Sequence, residues 1–228
     1  MHPRSYARKS LWLVAVAALL HNATALAQAE EQELVTAAEH TLTRFMDDPD
    51  MVWLRDHFSQ AKAVLIAPKL TRAGFFVGVS GGKAVLFARD PDTGRWLGPA
   101  FYDLGAVSIG FQTGVSVSEA VALVMSDNGL NKLMVSSFNL GPEWSLAAGP
   151  VGTGAKSDML ADFVAYSHSK GLYKGLNLHG TIVSIADDWN DRYYGTKVLP
   201  PDILMRASAH NAQADTLLAL LSQGWSSH

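Results

Sequence analysis

The chain has 228 residues, of which 48% are hydrophobic and 17% charged, and a formal net charge of −3. It is too apolar and too lightly charged to be disordered, and long enough to bury a core without covalent staples. The absence of cysteine excludes disulfides, thiolate metal sites, cysteine nucleophiles and an acylated N-terminal cysteine, and the acidic balance gives no general basis for binding nucleic acid.

Residues 1–27 have the order of a secretory signal. Residues 1–10 carry Arg4, Arg8 and Lys9 and no acid, residues 11–20 are unbroken apolar, and Ala25-Leu26-Ala27 is an A-x-A site. The apolar run is too short for a bilayer core that needs about 20 residues. Cleavage after Ala27 is expected, leaving residues 28–228 as one domain with a formal charge of −6. The expected product is exported, periplasmic or secreted, and peripheral to the membrane.

Residues 29–46 read as a helix, with Leu34, Ala38, Leu42 and Phe45 at helical spacing and Glu30, Glu31 and Glu33 in the first turn. Asp48 and Pro49 suggest the cap and first position of a second helix reaching about Gln60, with Met51, Leu54 and Phe58 inward. Residues 63–67 form a short apolar run closed by Pro68. Residues 75–79 and 84–88 read as strands joined by a tight turn at Ser80-Gly81-Gly82-Lys83. A turn at 90–94 and extended segments at 96–104 and 106–113 follow. Residues 115–125 alternate most clearly, with Val115, Val117, Val121 and Leu123 on one face. A short helix is expected at 127–135, strands at 138–148, 162–168 and within 172–185, a helix at 187–194, and mainly helix from Asp202 to Leu221 after the break at Pro200-Pro201. Many short strands without crossover helices predict an antiparallel sheet, and the interior glycines predict that it is curved and partly barrel-like. The expected class is α+β: one domain with helices at the N- and C-terminal ends.

Motifs of enzyme chemistry fail on context. Gly78-Val79-Ser80-Gly81-Gly82 matches G-x-S-x-G, but the residues after it are strand-like where a nucleophile elbow needs a helix. The same glycines with Lys83 lack the remaining P-loop positions, and residues 149–154 fail the dinucleotide fingerprint. Ser167-His168-Ser169-Lys170 contains S-x-x-K without its partner motifs. Histidines 40, 57, 168, 179, 210 and 228 have no ligand spacing, and Asp187-Asp188-x-x-Asp191 lacks the order of a calcium loop, so no metal and no cofactor are expected. His179 reads either as a surface residue or as one lining a pocket.

The segment 62–83 stands out. It holds Lys62, Lys69, Arg72 and Lys83 and no acid, interleaved with Val64, Leu65, Ile66, Leu70, Phe75 and Phe76. These cations either snorkel around a core strand or meet anionic lipid head groups, at about 1 kcal/mol per basic residue near a charged membrane. They are the candidate lipid-binding residues.

Ala61-Lys62-Ala63-Val64-Leu65-Ile66-Ala67-Pro68-Lys69, Ala73-Gly74-Phe75-Phe76-Val77-Gly78 and Gly81-Gly82-Lys83 resemble the opening of the SYLF domain, also called the Ysc-type actin-binding domain. The likeness continues in order through Asp92-Thr93-Gly94-Arg95-Trp96, Gly110-Phe111-Gln112-Thr113-Gly114 and Tyr166-Ser167-His168-Ser169-Lys170-Gly171-Leu172. It ends near Tyr193-Tyr194-Gly195 and Asp202-Ile203-Leu204, so it spans about residues 34–204. The resemblance implies a non-enzymatic module that binds membrane lipids, phosphoinositides in animal members, and that bundles actin in fungal ones. It is similar to the exported bacterial members, for which actin is not an expected partner and an anionic phospholipid surface is. The competing expectation is a soluble carrier holding an apolar ligand in a cavity of the sheet. An enzyme using Ser80 or Ser167 ranks last, because neither serine has a recognisable base or orienting partner.

Overall fold

The computed structural model describes residues 29–74, 77–109, 114–135, 137–141, 145–152, 161–176, 178–223 and 225. The expected signal segment, Phe75-Phe76 and residues 110–113 lie outside the described residues.

Helix α1 covers residues 29–47. Ala38, Leu42 and Phe45 are buried as helical spacing predicts, Val35 and Met46 are buried with them, and Leu34 is only partly buried. Helix α2 (Val52–Phe58) starts later than the sequence suggests. Asp48 Oδ1 accepts from Asp50 N in a local turn, and Met51 occupies the helix cap position without a side-chain bond. An Asx turn has taken the acceptor that would have capped the helix.

The sheet is built on four long antiparallel strands, β1 (Ala63–Gly74), β2 (Val77–Arg89), β3 (Trp96–Ile109) and β4 (Gly114–Val124). Helix α3 (Asp127–Leu133) follows β4, with Ser126 as its cap accepting from Gly129 N. Then come β5 (Ser137–Asn139), β6 (Leu146–Ala148), β7 (Phe163–Ser169), β8 (Leu172–Gly175) and β9 (Thr181–Ile185). The order is β5-β9-β3-β2-β1-β4-β7-β6, with β8 also on β7. The sheet curls as a half-barrel, and every pair is antiparallel except β6 with β7. The chain closes with α4 (Asp187–Tyr194), α5 (Pro200–Leu204), a 3-10 turn at Ala212–Ala214 and α6 (Asp215–Leu221).

Four local expectations change. Ser80-Gly81-Gly82-Lys83 is not a turn: it lies inside β2, in register with Arg72, Thr71 and Leu104. A Cβ at Gly82 would stand 2.1 Å from the Lys69 carbonyl oxygen, so the glycine serves close strand approach. Pro68 does not end its strand. The ladders slip between Ile66 and Thr71, so Pro68-Lys69 forms a bulge where the missing N–H costs no ladder bond. Residues 138–148 are not one strand, because β5 and β6 sit at opposite edges of the sheet. Pro200-Pro201 opens α5 rather than breaking the chain, as suits proline at the first helical positions.

Two cores flank the sheet. On one face Val64, Ile66, Val85, Phe101, Val121 and Leu123 pack with α1, α2 and α6. On the other, Ala63, Leu65, Ala84, Leu86, Ala122 and Val124 meet Leu133 of α3 and Ile203 and Leu204 of α5. Both faces of residues 120–124 are therefore buried, although the sequence there alternates only between large and small. A buried Asn190 joins α4 to the sheet: its Oδ1 accepts from Phe101 N at 2.9 Å, and its Nδ2 donates to Phe101 O and Ala186 O at 3.2 Å. Asn190→Leu strands a buried backbone N–H, and urea denaturation is expected to show a loss of about 2–3 kcal/mol.

Candidate functional site

The long strands outrun the helices. β9 pairs with β3 only over Tyr102–Ala106, and β7 with β4 only over Glu119–Val124. Beyond these positions β3, β2, β1 and β4 continue as a four-strand extension away from both cores. On the face that packs α1 further along, Val107, Val79, Ala73 and Val115 are direct cross-strand partners, one from each strand. Val79, Val107 and Val115 are 59%, 67% and 72% exposed, which makes this an apolar row turned to solvent rather than a strand core. Val117 stands beside it in the next row, opposite Thr71, with Gly81 and Gly105 completing that row.

Acids stop at the base of the extension. Asp103 is held by Lys83 at 2.5 Å. Glu119 accepts from Thr41 Oγ1 at 3.0 Å and from Arg44 Nη1 at 2.6 Å, and lies 3.0 Å from His168 Nδ1. Past them, residues 104–109, 114–118, 68–74 and 77–82 contain no acid and carry Lys69 and Arg72.

The four candidate cations divide. Lys62 lies at the other end of the sheet, where its N–H donates to Val124 O and its side chain pairs with Asp127 at 3.3 Å. Lys83 is at the base, bound to Asp103 and 4.5 Å from the centre of the Trp189 ring. Lys69 is exposed in the bulge beside Gly82, and Arg72 is exposed on the extension. One cation that sequence reasoning did not single out for this surface joins them: Lys170 turns the β7–β8 hairpin with φ at 51°, whereas Lys174 pairs with Ser167, level with Ala120 below the extension. Ser169 Oγ donates to Val117 O at 3.0 Å, which fixes that hairpin beside the free part of β4. The signal was absent from the sequence because about 100 residues separate Lys170 from Lys69.

The opposite face of the extension holds a cleft of about 140 Å³. Arg72, Ser80, Ala106 and Thr181 are successive cross-strand partners across β1, β2, β3 and β9 and form its rim, with His179 beside them. Its walls are apolar, from Leu65, Leu70, Leu104, Leu176 and Leu178. The volume is below the roughly 300 Å³ expected of a site that encloses a whole drug-sized ligand.

Among the described residues, Ser80 and His168 are not arranged for nucleophilic chemistry. The Ser80 hydroxyl points at Ala106 O at 3.5 Å. The His168 ring stacks on Tyr173 at 4.5 Å and is committed to Glu119. Burial pushes the phenols of Tyr166 and Tyr193 well above their usual range, so they stay neutral. Among the described residues no group of three His, Asp or Glu could hold a metal. Ser80→Ala is expected to change stability by less than about 0.5 kcal/mol in a denaturation series and to leave any trace esterase activity unchanged.

Comparison with known proteins finds a family and several relatives. Residues 105–224 match the family model Ysc84, described as Las17-binding protein actin regulator. The human SH3 domain-containing YSC84-like protein 1 is 27% identical over 188 residues, covering 80% of this chain and 54% of that protein. Protein YSC84 of Saccharomyces cerevisiae is 28% identical over 169 residues, covering 71% of this chain and 36% of that one. The SH3 domain-containing protein PJ696.02 of Schizosaccharomyces pombe is 29% identical over 171 residues, covering 72% and 39%. The chain spans about half the length, or less, of these curated relatives. No solved structure matches it.

Proposed function

This chain belongs to the Ysc84 family, and on that premise we propose that it is a non-enzymatic lipid-binding module which docks on anionic phospholipid head groups in a bacterial cell envelope. The single observation that supports this reading is the free end of the sheet, an exposed valine row with the exposed cations Lys69 and Lys170 beside it. Contiguous apolar surface at the end of a domain favours a partner. Here the surrounding charge is positive while the whole chain is acidic. Among the described residues no helix is long and apolar enough to cross a membrane, so attachment by this surface would be peripheral. Lys69 and Lys170 face head-group phosphates in this reading, and the valines enter the shallow apolar boundary; Arg72 lies in the row of Ser80 and Ala106, on the opposite face of the sheet. Lys62 and Lys83 keep their partners Asp127 and Asp103. A phosphoinositide-type head group is one member of the anionic class. The signal-like first 27 residues support export, so that actin is not the partner proposed for this chain.

Co-sedimentation of the protein with vesicles tests the proposal. Binding is expected with phosphatidylglycerol or cardiolipin, to fall from low to moderate salt, and to be absent on pure phosphatidylcholine. Lys69→Gln with Lys170→Gln is expected to cost about 2 kcal/mol, near thirtyfold, at about 1 kcal/mol per charge. Equal binding to neutral and anionic vesicles would overturn the electrostatic part and bring the carrier reading forward. N-terminal sequencing of the exported protein should begin at Gln28.

A further inference from the structure

We propose that the cleft bounded by Arg72 and His179 binds a single aliphatic carboxylate of short to medium chain, with its acid group at the rim and its chain in the cleft. This site lies on the face of the sheet opposite the valine row, and it does not depend on the membrane reading.

A row of directly paired residues, Arg72, Ser80, Ala106 and Thr181, crosses four strands. It sets a guanidinium and two hydroxyls in one line, and the His179 ring stands at the same edge. Beneath the line the surface is hydrocarbon, from Leu65, Leu70, Leu104 and the alanines of β4. Leu176 and Leu178, from the connection between β8 and β9, wall the cleft; Leu176 N is fixed to Ala165 O at 2.8 Å.

No acid lines the cleft. A cation-bearing rim over an apolar floor is complementary to an anion with a hydrocarbon tail, and to neither part alone. Arginine suits a carboxylate because its planar fork can donate two parallel bonds. Size sets the chain. A volume of about 140 Å³ is close to the ~150 Å³ apolar cavity that admits a six-carbon ring. About six carbons therefore fill it, and octanoate is the natural probe. A two-chain phospholipid is too large for the cleft, which separates this site from head-group docking.

Ligand-observed NMR titrations of the protein with octanoate, octan-1-ol and inorganic phosphate test the proposal. Octanoate is expected to saturate one site and to shift the His179 ring signals, with octanol and phosphate each at least tenfold weaker. Arg72→Gln removes the charge-assisted bonds and is expected to weaken octanoate about tenfold. Ala106→Phe fills the cleft and should do the same. Leu178→Glu, at the wall of the cleft, supplies a repelling carboxylate if the phenylalanine variant fails to fold. Octanol binding as tightly as octanoate would show that the rim does not read the acid, and equal phosphate binding would show that the floor does not read the chain. Either result overturns the site, as does unchanged affinity in folded variants. Vesicle binding separates the two proposals: Ala106→Phe should retain it, and aspartates in the valine row should lose it while still taking octanoate.

Discussion

Val79→Asp combined with Val115→Asp is expected to lower the affinity for anionic vesicles at least a hundredfold. Each valine is more than half exposed, and together with Val107 and Ala73 they form one continuous row across four strands. Burying a valine is worth about 1.5–3 kcal/mol at full burial, and shallow insertion recovers a part of that. Aspartate forfeits this part and adds a carboxylate facing anionic phosphates, so both terms act in the same direction. Neither valine belongs to a core, so the native state loses only strand preference, within about 1 kcal/mol per site. Val79→Thr with Val115→Thr keeps the branched shape and separates apolar insertion from any loss of strand order. The valine effect should persist at high salt, whereas the effect of neutralising Lys69 and Lys170 should fade there. A double aspartate variant that melts like the wild type and still sediments with vesicles would remove the free end of the sheet as the contact surface.

Gly82→Val is expected to destabilise the protein by about 4 kcal/mol, near the limit for single substitutions. The new Cβ would fall 2.1 Å from the Lys69 carbonyl oxygen and 3.1 Å from Leu70 Cδ2. A backbone oxygen cannot rotate away as a side chain can, so the Pro68-Lys69 bulge or the β1–β2 ladder has to open. Gly105→Val is the control. It lies on the same extension, with no neighbouring atom within 4 Å of its added Cβ. It should be neutral or slightly stabilising, because valine loses less entropy in a strand than glycine. Urea denaturation of both variants reads the difference directly, and equal midpoints would show that the close approach at Gly82 is not tight.

The different fates of these two glycines show where sequence reasoning reached its limit. Helix α1 was legible because Ala38, Leu42 and Phe45 repeat every turn on one side, and helices form from local spacing. The turn at Asp90 was legible too: its carboxylate accepts from Asp92 N and Thr93 N, and these bonds hold its pKa below the usual value. Ser80-Gly81-Gly82 misled because two adjacent glycines fit a turn and a tight strand crossing equally well. The choice was made by the bulge in β1, a long-range neighbour. The alternation at 115–124 predicted a strand, yet the same pattern is buried on both faces at one end and exposed at the other. Burial along β4 depends on how far β7, α1 and α2 reach, and no local pattern records that reach.

The candidate site divides in the same way. By itself the sequence determined an acid-poor, cation-bearing segment around Lys69 and Arg72, the absence of a recognisable catalytic constellation and, through ordered motifs, the family. Which cations stand exposed at the free end follows only from the fold. Lys62 and Lys83 are drawn into pairs with Asp127 and Asp103, while the β7–β8 hairpin brings Lys170 in from far along the chain. The fold also set His179 and Arg72 at the edge of one cleft. The physical reason is that charge pairing and cleft formation depend on through-space distance. In a sheet those distances follow from strand order and register, which join residues far apart in the chain.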